Sequence, residues 1–253
     1  MLKSIQAFAL AAAALFAVSV YAHGMEGAEK VRLRADLSGF HRTVSTKSAE
    51  AQKYFDQGIT LYYGFNHDAA VASFDEAAAL DPNCAIAYWG HAISVGPNIN
   101  VPFMDSSQAV AAWESLNKAL KHAKKASPVE RDLIHALATC YAWPPPADRK
   151  ALDEAYANAM RQVWAKHPND PDVGTLFADA MMNLRPWNLF YPDGQPAPGT
   201  TEIMATLEKV MAMVPDHPGA NHFYIHTVEA SPFPQLALPS ADRLRNRIPG
   251  AGH

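Results

Sequence analysis

The sequence predicts an all-α chain of stacked antiparallel helix pairs, and three observations carry that expectation. Prolines recur in turn contexts, at Leu80-Asp81-Pro82-Asn83, Ser127-Pro128, His167-Pro168-Asn169-Asp170, Val214-Pro215-Asp216-His217 and Ile248-Pro249-Gly250. The spacings of those prolines are 46, 40, 47 and 34 residues, the scale of a repeating two-helix unit with loops of unequal length. Between the turns, small residues alternate with large apolar ones at helical intervals. A single pair cannot bury its apolar face alone, so pairs stack and leave a concave groove.

The first pair spans Ala51 to Pro82. It reads Tyr54-x-x-Gln57-Gly58-x-x-Leu61, then Ala70-x-x-x-Phe74-x-x-Ala77. Gly58 and Ala70 are small enough for two helices to approach closely, and Phe74 and Leu61 fill the space around them. Gly64 to Asp68 is the turn, with Asp68 expected as the N-cap. The second pair begins at Cys84 with Tyr88-x-x-His91-Ala92-x-x-Val95, stops at Gly96-Pro97 and resumes at Ala109-x-x-x-Trp113. The third carries Leu137-Ala138-x-x-Tyr141, then Pro144-Pro145-Pro146, then a helix over Leu152 to Lys166. The fourth carries Phe177-Ala178-x-x-Met181, a long loop through Pro186-Trp187 and Tyr191-Pro192-Asp193-Gly194, and Glu202 to Met213. The loop is too long for a plain connector and is expected to fold over the groove. The fifth runs from Gly219 to Ser231 and from Leu236 to Arg247.

This pattern resembles the tetratricopeptide-repeat (TPR) family over nearly all of the chain beyond its leader. More narrowly, it is similar to a group of exported bacterial TPR proteins. The segments that carry this likeness are Ala87-Tyr88-Trp89-Gly90, Gly96-Pro97-Asn98-x-Asn100, Pro186-Trp187 and His217-Pro218-Gly219-Ala220-Asn221-His222-Phe223-Tyr224-Ile225-His226 with Glu229-Ala230-Ser231. The resemblance implies a right-handed superhelical solenoid with a ligand-binding concave face. It implies no activity, because that group has none assigned. Members of the group continue past the Pro249 to His253 segment, so the chain resembles a C-terminally truncated member.

Lys3, the apolar run Ile5 to Val20 and the small residues of Val20-Tyr21-Ala22 read as a secretory signal peptide over residues 1–22. An N-terminal segment over 23–46 and a repeat domain over 47–253 follow. The protein is expected in the periplasm or outside the cell, with no transmembrane segment after cleavage. Net charge is −4 without a basic cluster, which argues against nucleic acid as a partner. Cys84 and Cys140 fall on parallel first helices of successive pairs, too far apart to bridge.

By analogy with the family's helix-A positions, the groove is two-toned. Its N-terminal half presents Phe55, Tyr62 and Trp89, a stacking surface for a protein or peptide partner whose polar ends meet Asn98, Asn100 and His135. The alternative for these rings is packing against each other or against residues 31–43. The C-terminal half presents His222, His226 and Glu229 at i, i+4 and i+7, one face of one helix. Asp179 is expected level with them on the adjacent helix and His217 in the turn below. Two imidazoles with carboxylates suit zinc or copper, with affinity falling as pH drops through roughly 6.5. The alternative for this set is hydrogen bonding among the same groups and groove backbone. His23, if it becomes the N-terminus, could chelate copper through its amine and ring. His91 reads as a hydrogen-bonded packing residue. There is no His-Glu-x-x-His, no serine-histidine-acid arrangement and no glycine-rich phosphate loop, so no residue is assigned as catalytic.

Overall fold

The proline-bounded segments do form helices. The computed structural model describes residues 31–37 and 39–245. The signal peptide, His23 and the closing segment with Pro249 lie outside the described residues. Among the described residues ten α-helices follow in order: α1 (Ala49–Tyr63), α2 (His67–Leu80), α3 (Ala85–Ser94), α4 (Ser106–His122), α5 (Pro128–Leu137), α6 (Lys150–Lys166), α7 (Pro171–Met182), α8 (Thr200–Met213), α9 (Pro218–Val228) and α10 (Leu238–Leu244). Among the described residues there is no strand, only a lone bridge between Phe190 and Pro196. No helix of the described residues is long and apolar enough to cross a membrane. Backbone contacts divide the chain into two units after Arg32, and all ten of these helices belong to the unit from Leu33 onward.

The turns work through caps. Ser127 and Glu130 form a capping box at α5, Asp105 and Gln108 another at α4, and Asp170 caps α7. Pro128, Pro171 and Pro218 sit in first turns, where a missing N–H is harmless. Asp68 is not the cap of α2. That place falls to Asn66, whose amide instead donates to the Gly64 carbonyl at 3.0 Å.

Each helix packs on the next in the chain, and first helices touch first helices, α1 on α3 and α3 on α5. Phe74 of α2 is the wedge between two of them. A Cβ on Gly58 would lie 2.8 Å from its ring, and one on Gly90 would lie 2.5 Å from it. The stack also returns on itself, because α9 of the fifth pair packs against α1 of the first. Gly219 permits that approach, since a Cβ there would stand 2.5 Å from the Tyr63 ring.

Burial corrects the expected aromatic groove. Phe55, Tyr62 and Trp89 are 0, 4 and 1% exposed, so they belong to the core and offer no stacking surface. Asn98 is buried as a turn former, its Oδ1 accepting from the backbone of Asn100 and Val101. Asn100 and His135 are exposed. Cys84 and Cys140 are buried free thiols.

Residues 40–48 run across the starts of the first helices as a strap. Thr46 donates to Asp81, Ser45 is bonded to Glu130, and Arg42 pairs with Asp170 and Asp172 at 2.8 and 2.7 Å. Phe40 sets its edge against Tyr63 and His217.

Candidate functional site

The five side chains expected to share one metal divide into three places. Asp179 is engaged by α1 and accepts from the Tyr62 hydroxyl at 2.5 Å. His217 caps α9 instead: its Nδ1 accepts from the Ala220 N–H at 3.1 Å, so its proton sits on Nε2, 3.3 Å from Asp172. Both of its nitrogens are therefore used. Asp172 lies at the centre of a buried polar knot. Burial opposes its ionisation, but Arg42, His217 and the Tyr63 hydroxyl at 2.5 Å prevail and hold the carboxyl well below the usual range.

His222 and His226 do come together. Their four-residue spacing puts both rings on one side of α9, and the Nε2 atoms face each other at 2.9 Å. Each ring is fixed from behind. Nδ1 of His222 lies 2.6 Å from the carbonyl of Tyr63, the last residue of α1, whose oxygen has no partner further along its own helix. Nδ1 of His226 lies 2.7 Å from Oε1 of Glu229. A carbonyl and a carboxylate only accept, so both Nδ1 atoms carry protons. The two Nε2 atoms therefore meet at a spacing that a shared proton or a metal ion between them would satisfy. Glu229 is thus an orienting group behind the pair and not a third ligand. Among the described residues no three His, Cys, Asp or Glu side chains converge as a metal-binding group.

Aromatic rings wall the pair. Phe65 lies 4.5 Å from the His222 ring and stacks on His226 at 5.5 Å, and Trp187 presents its edge to His226 at 5.4 Å. Phe65 and Trp187 are also the two described non-glycine residues with positive φ, at +56° and +62°. A bulky side chain there costs roughly 1–2 kcal/mol, and such strain concentrates at functional sites. Trp187 belongs to the long loop after α7, which packs inward through Leu189, buried and bonded by its carbonyl to the Thr200 hydroxyl.

Helical spacing finds His222 and His226 in the sequence. Nothing there signals Phe65 or the Tyr63 carbonyl, whereas Trp187 comes from the long loop expected to fold over the groove. His67, expected in a turn, has both ring nitrogens buried without partners, and burial pushes its pKa down to about 4. His91 is held by Asp75 at 2.7 Å, in keeping with a packing role. No protein-family model matches this chain, and a search of curated proteins finds no match either.

Proposed function

We propose that this chain is an exported, TPR-type helical scaffold whose working site is the His222–His226 pair, and that the pair binds a single transition-metal ion. The observation that carries the reading is the face-to-face Nε2 geometry with both Nδ1 atoms anchored on acceptors. A metal-bound histidine characteristically donates its other N–H to a carbonyl or carboxylate, and here both do. The peptide-groove reading has no comparable support, because Phe55, Tyr62 and Trp89 are core residues.

The spacing favours one class of ion. With metal–nitrogen bonds of about 2.0–2.1 Å, nitrogens 2.9 Å apart subtend an angle of about 90°. That angle suits neighbouring positions of a square-planar or tetragonal copper(II) or nickel(II) ion. A tetrahedral zinc ion needs a separation of roughly 3.3–3.4 Å, so the rings must open by about 0.4 Å. Two protein donors leave the remaining coordination positions to water or to a small exogenous ligand.

Calorimetric titration of chelator-treated protein with copper(II), nickel(II) and zinc(II) tests the reading. One ion per chain should bind, copper tightest, and His222→Ala/His226→Ala should remove that event while helix content holds. Electron spin resonance of the copper form should show coupling to two imidazole nitrogens. Equal uptake by parent and double variant would remove the site.

A further inference from the structure

We infer that the protein carries a second binding site, at the loop ends of the helix pairs above Asp179, and that it takes a small molecule ending in a primary ammonium group. This inference is independent of the metal reading.

A cleft of about 710 Å³ opens between the loop after α3, the start of α6 and the loop after α7. That is the size of sites that hold small organic ligands. At its floor lies a cavity of about 10 Å³, room for one water-sized group. Cleft and cavity share Pro97, Asp153 and Asn183 as walls, so those side chains form the threshold between them.

The floor is lined by Asp179, Tyr62, Tyr156 and Asn183. Asp179 is 3% exposed, and among the described residues no cation pairs with it; its polar partner is the Tyr62 hydroxyl. The nearby arginines are already engaged, Arg149 with Asp153 at 2.8 Å and Arg161 with Glu202 at 2.9 Å. Burial pushes Asp179 up to about 6 against the lowering effect of Tyr62, so at neutral pH the carboxylate is largely ionised without a counter-charge. Such a charge is expensive to keep in a protein interior.

Two further polar atoms on the same floor have no hydrogen-bond partner among the described residues. The Tyr156 hydroxyl is buried and unbonded in a residue 6% exposed, and Asn183 Oδ1 is buried and unbonded as well. Carboxylate, phenol oxygen and amide oxygen make three acceptors around a space for one small group. An ammonium offers three N–H donors and one positive charge. It therefore answers both the missing counter-charge and the unfilled acceptors. An alcohol supplies one donor and no charge, and a quaternary ammonium supplies charge but no donor and is too wide for the floor. The organic remainder of the ligand lies outward along Pro97, Pro186 and Met181 in the cleft.

The probes are n-propylammonium, n-propanol and propyltrimethylammonium, titrated calorimetrically near pH 7.5 with a chelator present to silence the histidine pair. Propylammonium should saturate one site with a millimolar or tighter Kd and raise the melting temperature, and the other two should do neither. Asp179→Asn should abolish the heat of binding. Tyr156→Phe, which keeps the ring and removes only the hydroxyl, should weaken binding roughly 5- to 10-fold. Saturable binding of propyltrimethylammonium as tight as that of propylammonium would overturn the proposal. So would the absence of saturable propylammonium binding, or unchanged affinity in both variants; the floor would then hold a structural water.

Discussion

Replacing Asp179 with Asn should stabilise the protein at neutral and alkaline pH. The carboxyl titrates near 3.8 when solvated and is pushed up to about 6 in the fold, chiefly by burial. A raised native pKa means that the folded state holds its proton where the unfolded state has released it. The stability associated with that proton is fully present below pH about 4 and is lost as pH rises through about 6. A shift of about two units corresponds to about 3 kcal/mol, a ceiling on the penalty carried above pH 6. Asparagine keeps an oxygen that can accept from Tyr62 and never ionises. Asp179→Asn should therefore gain about 1–3 kcal/mol at pH 8 and nothing at pH 4. Urea unfolding of both proteins at the two pH values measures the difference from midpoints at constant m. A variant less stable than the parent at pH 8, or a gain equal at both pH values, refutes the reasoning. A gain at pH 8 means that the parent tolerates a destabilising charge, as expected where a charge is retained for binding.

Arg42→Ala should cost about 3 kcal/mol or more in urea at neutral pH, because it strips the ion pair from the buried carboxylate of Asp172. Asp172 has a depressed pKa, so this contribution is present above pH about 4 and fades in acid, where variant and parent should converge. Trp89→Ala should lower stability by about 3–5 kcal/mol, as for a fully buried large side chain; a well-folded variant with the parent's melting point would return Trp89 to a surface role. Gly58→Ala should cost about 1–3 kcal/mol by pressing a methyl group into the Phe74 ring, and an additional Phe74→Leu change should recover part of it. Trp187→Gly should leave thermal stability unchanged or raise it by about 1 kcal/mol through relief of its left-handed backbone, while weakening copper binding at the neighbouring pair. A marked loss of stability in that variant would mean that Trp187 serves packing.

The helices were legible because their signals are local. Proline turns, capping residues and small–large spacing mark nearly every boundary within a few residues. Gly58 and Phe74 meet where the pattern of the first pair puts them. The groove was misread for a reason that no local pattern holds. Whether a residue on the inner face of a helix is exposed depends on what packs across it, and here Phe55 lies against Phe74 and Tyr62 against Asp179, with Trp89 equally buried. The histidine face was half legible. Spacing along α9 brought His222 to His226, but the true neighbours of Asp179 and His217 are Tyr62 and Asp172, set by packing between helices far apart in sequence. Asp68 is not the cap because α2 starts two residues earlier than the turn chemistry implies, leaving it inside the first turn.

The strap at residues 40–48 bears on how the chain is made. In most helical repeats each unit finds its partners next door, so the array can mature in the order of synthesis. Here Arg42 waits for Asp170 and Asp172, and Phe40 waits for His217. Phe40 can reach Tyr63 early, but its contact with His217 and the ion pairs of Arg42 form only after most of the helices have been made. Until Asp170 and Asp172 are made, Arg42 lacks its counter-charges and this end of the strap is not locked down. The contacts that lock the strap therefore join side chains 128 and 130 positions apart in sequence, and they close only when those distant segments meet.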